Sequence, residues 1–401
     1  MAQYLQGGGK IVAILVLIPL VAFKYYNFIN DSMFDFLSII HLRFRLPGLN
    51  WAIPVGISFF TFQALGYFLD VYHKRISAEK NLMDYLLFVS FFPQVASGPI
   101  SKASELLPQI KKIKVFSYDK AVNGCRYFLW GLFLKIALAD RADVYVAKVL
   151  GNYENFSGLN CLLASFMYSI QIYADFAGYS FMAIGVGKLL GFDLINNFNH
   201  PYFSMSVTDF WRRWHISLSR WLKDYVYIPL GGSRCSRLRN YVNILITFLV
   251  SGLWHGANWT FIIWGVFHGV CQVIEKMSGL PKIESKGFFR ATRILVTFTI
   301  VSFAWIIFRS SSIGNAYNIV YSILTLYKNL TVSMAGSDVL AYFFVAFVPF
   351  IAFEVLHEFY SDLYKKLKKV FLIRWTAYIV IMSLILLIGV FDGSQFIYAN
   401  F

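Results

Sequence analysis

Charge is scarce in this sequence. Lys, Arg, Asp and Glu make up only 14% of its 401 residues, where a soluble domain carries roughly 25%. Hydrophobic residues make up 58%, more apolar surface than a soluble fold could bury, so that class is excluded. Acidic residues are scarcer than basic ones, 21 against 36, which leaves a formal net charge of +15. No DNA- or RNA-binding motif accompanies this charge, so nucleic acid is not the expected partner. The Lys and Arg instead gather in short loops, as retention of positive charge on the cytoplasmic side requires. Cysteines number four, at 125, 161, 235 and 271. They form no CxxC pair, and neither a disulfide framework nor a metal site is implied. The weak ten-residue alternation of a membrane barrel is missing too. What is there is long apolar runs. The fold class is an all-α polytopic membrane protein whose first partner is membrane lipid.

The runs place the spans. Ile11 to Phe23 is apolar, preceded by Lys10 and interrupted by Pro19, with Lys24-Tyr25-Tyr26 following instead of a small-residue cleavage site. It reads as a retained first span or signal anchor. Further spans are expected at about 52–71, 82–98, 122–140, 158–175, 177–191, 241–254, 257–275, 291–308, 340–358 and 371–391. Several fall short of the roughly 20 residues a crossing needs or are broken, as at Pro93 and Gly98-Pro99. Irregular backbone at that depth must be buried in protein or line a wet cavity. Nine to eleven helices, some of them half-crossing, are therefore expected. No repeat or low-complexity linker divides the chain, so residues 1–401 read as one integral domain. Within it, residues 192–240 read as a cytoplasmic-facing polar-aromatic segment. Between Asp209 and Arg239 it carries Arg212, Arg213, Arg220, Lys223, Arg234, Arg237 and Arg239 against Asp209 and Asp224.

Two histidines stand out. Ser206-Val207-Thr208-Asp209 opens a helix as a capping box. Phe210, Trp214, Leu218, Trp221, Leu222 and Tyr225 then line an apolar face, and Arg212, His215 and Ser219 a polar stripe. This helix reads either as interfacial, with aromatics in the headgroup zone and arginines on anionic lipid, or as the mouth of a buried path with His215 in it. His255, in Ser251-Gly252-Leu253-Trp254-His255-Gly256-Ala257-Asn258, is an ionisable ring in an apolar stretch. Such a group is costly in hydrocarbon and usually marks a working site; the alternative is a core histidine bonded to a neighbouring carbonyl. Ser251 and Asn258 are candidates to orient the ring, and Trp254, Trp259 and Trp264 to wall a tunnel. His268, His200 and His357 are weaker candidates, and His41 and His73 read as solvated. Asp175, in an apolar stretch from Tyr173 to Ser180, must find a partner or be neutral. It either holds a group of the site or locks two helices together. HExxH, G-x-S-x-G, P-loop and Rossmann patterns are all missing. Acid–base chemistry on a hydroxyl and proton-coupled transport remain as the two classes.

Five stretches carry a resemblance. Residues 210–232, from Phe210-Trp211-Arg212-Arg213-Trp214-His215 to Ile228-Pro229-Leu230-Gly231-Gly232, closely resemble the signature of the membrane-bound O-acyltransferase (MBOAT) family in its alginate O-acetyltransferase (AlgI-like) branch. So do residues 54–63, 173–180 and 251–257, and the closing Gly393-Ser394-Gln395-Phe396-Ile397-Tyr398 resembles the same branch. The Ile-Pro-Leu-Gly-Gly ending is closer to that branch than to the D-alanine-transferring one. The resemblance implies an MBOAT-type ring of transmembrane helices around a central tunnel. It implies that His255 takes the position of the principal catalytic histidine and His215 that of the second. It also implies a bacterial inner-membrane, multi-pass protein that is shorter at its N-terminus than its relatives by one or two helices.

The function implied is transfer of an acetyl group from a cytoplasmic thioester across the membrane, for O-acetylation of an exported polysaccharide. The donor is acetyl-CoA or an acyl carrier protein; no bound cofactor or metal is called for. His255 acts as general base, and His215 orients the acceptor or stabilises developing charge. Asp175, Asn258, Arg212, Ser219 and Trp254 support the site, while Arg213, Arg220 and Lys223, with Arg212, draw in the anionic donor. An SGNH-type extracytoplasmic protein is the implied partner. D-alanyl or other acyl transfer to teichoic acid, lipid or protein hydroxyls is the alternative within the superfamily. A proton-coupled transporter using His255 and Asp175 is the alternative outside it.

Overall fold

The computed structural model describes residues 2–283, 285–325 and 337–391. Every regular element among them is helical, because backbone polar groups in hydrocarbon must be satisfied within the segment itself. The closing motif at 393–398 lies outside the described residues.

Helix α1 (Ala2–Leu20) passes through a π-helical turn, Val21–Tyr25, into α2 (Tyr26–Ile39). The first span is therefore not a short run ending at Phe23. The apolar helix extends over Ile11–Ile39 with Lys24 inside it, and Pro19 is accommodated within α1. Next come α3 (Ile57–Tyr72), α4 (Leu82–Val89), α5 (Phe92–Val95) and α6 (Ala103–Ile110). The run expected at 82–98 is broken between α4 and α5, where Pro93 begins a new turn. Helix α7 (Tyr118–Leu132) continues through a π-helical stretch, Phe133–Ala139, into α8 (Asp140–Gly151). The two spans expected at 158–175 and 177–191 are one 32-residue helix, α9 (Gly158–Leu189). It is about 48 Å long at 1.5 Å per residue, and Gly178 does not break it.

Residues 192–240 depart most from expectation. They form α10 (Val207–Arg213), α11 (Ile216–Leu222), a π-helical turn Lys223–Tyr227 and the start of α12 (Arg237–His255). Trp211, Trp214 and Trp221 are buried. At these tryptophans the segment threads into the protein core. The remaining helices are α13 (Trp259–Ser278), α14 (Gly287–Arg309), α15 (Ile313–Leu324), α16 (Ser337–Phe359), α17 (Ser361–Leu367) and α18 (Phe371–Ile388).

Among the described residues, four helices are long and apolar enough to cross a membrane: Ile11–Ile39, Gly287–Arg309, Asp338–Phe359 and Phe371–Ile388. The other expected spans are shorter, broken or too polar by that measure. The surface is inverted relative to a soluble protein. Leu386, Leu387, Ile379 and Ile11 are exposed, whereas Gln63, Gln94, Gln171, Asn240 and Asn243 are buried. This is the arrangement of an all-α polytopic membrane protein, with lipid outside and a polar interior.

Glycine sets the closest helix pair near the candidate site. In α12 and α13, a Cβ on Gly252 would lie 2.3 Å from the Phe261 carbonyl oxygen, and one on Gly265 2.3 Å from that of Phe248. With lipid as solvent, packing rather than hydrophobicity holds helices together, and small residues permit it.

Candidate active site

A break in the chain creates the site. The expected helix from Asp209 to Tyr225 is two helices. Trp214 is extended, and His215 adopts the left-handed region at φ 42°, a conformation that His tolerates better than most side chains. Asn197 makes the break possible. Its carbonyl accepts the Ile216 N–H at 3.0 Å, and its side-chain oxygen accepts the Ser217 N–H at 3.2 Å. These are first donors of α11, which lack intrahelical acceptors. The polar stripe of Arg212, His215 and Ser219 therefore does not share one helical face. His215 turns inward while Arg212 stays exposed.

Both ends of α10 are anchored. Ser206 accepts the Asp209 N–H at 3.0 Å, as the capping box predicts. Glu275 of α13 accepts the N–H groups of Val207 and Thr208 at 2.5 and 2.8 Å and the Thr208 hydroxyl at 2.7 Å. A carboxylate at a helix N-terminus is favoured by the dipole. At the other end, Arg213 bonds Glu358 of α16 at 2.7 Å and Asp209 at 3.2 Å.

His255 lies at the C-terminal end of α12, 2% exposed. Its ring is edge-on to Trp254 at 4.9 Å, to Trp264 at 5.0 Å and to Phe308 at 5.3 Å. The Trp254 ring also faces His215, at 5.8 Å. His215 is fully buried and packs edge-on against Phe176 at 4.6 Å. Trp254 thus stands between the two histidines. On the far side of Trp264, at 5.0 Å, is His268, a third buried imidazole in the same aromatic cluster. Among the described residues, the ring nitrogens of His215 and His268, the Ser251 and Thr260 hydroxyls and the Trp264 indole N–H have no hydrogen-bond partner in the protein. Buried polar groups are normally paired. Here several such unpaired groups are concentrated around one aromatic cluster.

A cleft of about 460 Å³ approaches this cluster along α12. Ile244, Thr247, Phe248 and Ser251 line one wall, and Arg212, Ser219, Lys223 and Lys276 are among the others. Ser251 precedes His255 by one helical turn, about 6 Å of rise. Three cations thus border a groove that reaches within a turn of the buried histidine. Lys276, which also bonds Asn240, had no signal in the sequence beyond its charge.

The other expected site residues are placed elsewhere. Asp175 bonds Lys135 at 2.8 Å, and Lys135 also bonds Asp140 at 2.7 Å. Of its two readings, locking helices together is the one this geometry fits. Asn258 caps α13, accepting the Thr260 N–H at 3.0 Å and donating to the Ser311 carbonyl at 3.1 Å. Arg220 pairs with Glu105 at 2.6 Å, and Arg213 is held as described. Neither lines the cleft. His200 Nδ1 lies 3.1 Å from the Glu354 carboxylate, and its ring lies 5.3 Å from that of His357. His41 and His73 are exposed, as expected. No cluster of three His, Cys, Asp or Glu suited to a metal occurs among the described residues.

The profile of the MBOAT, membrane-bound O-acyltransferase, family matches residues 74–314, which include both histidines and the cleft. The chain belongs to this family. It is 38% identical over 353 residues to the probable alginate O-acetylase AlgI of Pseudomonas aeruginosa, covering 85% of this chain and 65% of that protein. It is 36% identical to the peptidoglycan O-acetyltransferase of Helicobacter pylori, over 76% of this chain and 62% of that one. Similarity extends to the teichoic acid D-alanyltransferase of Streptococcus thermophilus, at 29% identity and 73% of each chain. The chain thus spans less than two thirds of the length of the two O-acetylating relatives. Its resemblance to the MBOAT family's AlgI-like branch holds over most of its own length.

Proposed function

We propose that this protein is a membrane-bound O-acyltransferase that passes an acetyl group from a cytoplasmic thioester to a hydroxyl of an exported or cell-surface polysaccharide. The carrying observation is the cleft bordered by Arg212, Lys223 and Lys276 that ends at Ser251, one turn before His255. The names of the relatives, alginate O-acetylase and peptidoglycan O-acetyltransferase, support the reaction class and a polysaccharide acceptor.

In this reading the basic rim binds the phosphates of acetyl-CoA or the acidic surface of an acyl carrier protein. The apolar wall of Trp211 and Phe248 receives the pantetheine arm. Neutral His255 removes the proton from the attacking hydroxyl. The new C–O bond forms at the thioester carbonyl, the C–S bond breaks, and the proton is returned to the departing thiolate. General base action of this kind contributes about 10²–10⁴ in rate. His215, across Trp254, orients the acceptor. The basic side of the cleft faces the cytoplasm of a bacterial inner membrane. The acceptor, or an SGNH-type carrier protein that relays the acetyl group, meets the opposite side.

The test is His255→Ala in a membrane preparation. The variant inserts and folds, yet polymer O-acetylation is lost; normal acetylation would sink the assignment. The relationship to D-alanyltransferases supports a second reading in which the acyl group is D-alanyl. Supplying acetyl and D-alanyl thioesters in parallel separates the two, since only one label reaches the acceptor.

A further inference from the structure

The last turn of α12 has a capping problem. A helix leaves its final four carbonyls without intrahelical donors. The common remedy is a left-handed glycine that folds the chain back, but Gly256 is extended at φ −170°. The donors come instead from the first span. Lys24 Nζ donates to the Trp254 carbonyl at 2.8 Å and to the His255 carbonyl at 3.1 Å. It also donates to Ser58 Oγ on α3 at 3.0 Å. The neighbouring Tyr25 hydroxyl donates to the Leu253 carbonyl. Three consecutive carbonyls, ending at the histidine itself, are thereby satisfied by two consecutive residues.

Several features set this contact apart from an incidental hydrogen bond. A lysine well inside an apolar span is costly unless it is paired, and Lys24 is buried rather than directed to an interface. A cation at a helix C-terminus is favoured by the dipole. Both donors lie in the π-helical turn Val21–Tyr25, a rare geometry found preferentially at functional sites. The turn, the cation and the histidine belong to one device.

We propose that Lys24, assisted by Tyr25, is a positioning residue for His255. It holds the last turn of α12 closed, so that the imidazole keeps its place between Trp254 and Trp264. This rests on the reading of His255 as the acid–base group. A misplacement of about 1 Å in a reacting group can cost on the order of 10²-fold in rate. The loss falls on kcat and not on donor affinity, because Arg212, Lys223 and Lys276 are not touched.

The test uses the full chain, purified and reconstituted, as Lys24→Met, Lys24→Arg, Tyr25→Phe and His255→Ala. Steady-state acetyl transfer is measured alongside amide hydrogen exchange. Lys24→Met is expected to lower kcat on the order of 10²-fold with donor KM unchanged. Its amides at 252–256 exchange faster while those at 241–248 keep their protection. Lys24→Arg restores most of both, and Tyr25→Phe shows the same pattern more weakly. Wild-type kcat and protection in Lys24→Met overturn the proposal, and so does a change confined to acceptor KM. Should Lys24→Met not fold, Lys24→Arg and Tyr25→Phe decide by the same two measurements. Full activity in His255→Ala overturns the reading of His255 as the acid–base group instead, while exchange at 252–256 still reports whether Lys24 closes the helix.

Discussion

Lys135 lies between two carboxylates, 2.8 Å from Asp175 on α9 and 2.7 Å from Asp140 at the start of α8. All three side chains are buried, and Lys135 sits in the π-helical stretch that joins α7 to α8. Removing one partner from a buried ion pair costs about 3–5 kcal/mol. Asp175→Asn is therefore expected to lower thermal stability in detergent. Lys135→Met is expected to lower it further, because it removes the cation from between two carboxylates rather than one carboxylate from a cation. Equal melting temperatures for the two variants would contradict this ordering.

Gly252 of α12 and Gly265 of α13 each leave no room for a Cβ against the backbone of the other helix. Overpacking a well-filled interface costs about 1–3 kcal/mol, and here the added methyl meets a backbone oxygen that cannot rotate away. Gly252→Ala and Gly265→Ala should each destabilise the protein and displace His255, which follows Gly252 on the same helix. Gly151→Ala, with nothing within 4 Å of its Cβ, is the control and should leave thermal denaturation unchanged.

Arg212 and Lys223 face the cleft, whereas Arg220 pairs with Glu105. Under the proposed function, Arg212→Ala and Lys223→Ala raise the donor KM severalfold with little change in kcat, and the effect shrinks as salt rises. Arg220→Ala should leave donor KM unchanged. Donor titrations at two ionic strengths check all three, and an Arg220 effect equal to that of Arg212 would remove the cleft as donor site.

The φ of 42° at His215 separates backbone from chemistry. Asn also tolerates the left-handed region, and Ala does so poorly. His215→Asn should therefore fold like the parent protein, and His215→Ala should be less stable by about 1 kcal/mol. If His215 orients the acceptor, both variants lose acetyl transfer to a similar degree. A fully active His215→Asn would restrict His215 to holding the break between α10 and α11.

Some of the site was legible because it depends on composition and short motifs. An ionisable ring in an apolar run, glycines beside it and a capping box before α10 are local signals, and each is matched in the structure. Lys24 was hidden for a physical reason: at the end of a run read as stopping at Phe23, a lysine looks like an interfacial flank. Only the continuation of the helix to Ile39 makes it buried. Asn197 was hidden because its role is to cap a helix nineteen residues later in the chain, α11 (Ile216–Leu222). The partners of Asp175 and Asn258 were not legible either: the first bonds Lys135, forty residues earlier in the chain, and the second caps α13.

Taken alone, the sequence determined the class and the family resemblance, and singled out His215 and His255 as candidates. Scarce charge and long apolar runs require a membrane, and the motifs around His215 and His255 are contiguous. The tertiary structure decided everything that depends on residues distant in the chain. It broke the expected helix at His215, fused two spans into α9, assigned Arg213 and Arg220 to ion pairs, and brought Lys24 to the end of α12. Periodicity reports which way a side chain faces along one element. Which carbonyl, carboxylate or ring waits for it there is set by packing between elements, where each buried polar group must find its partner.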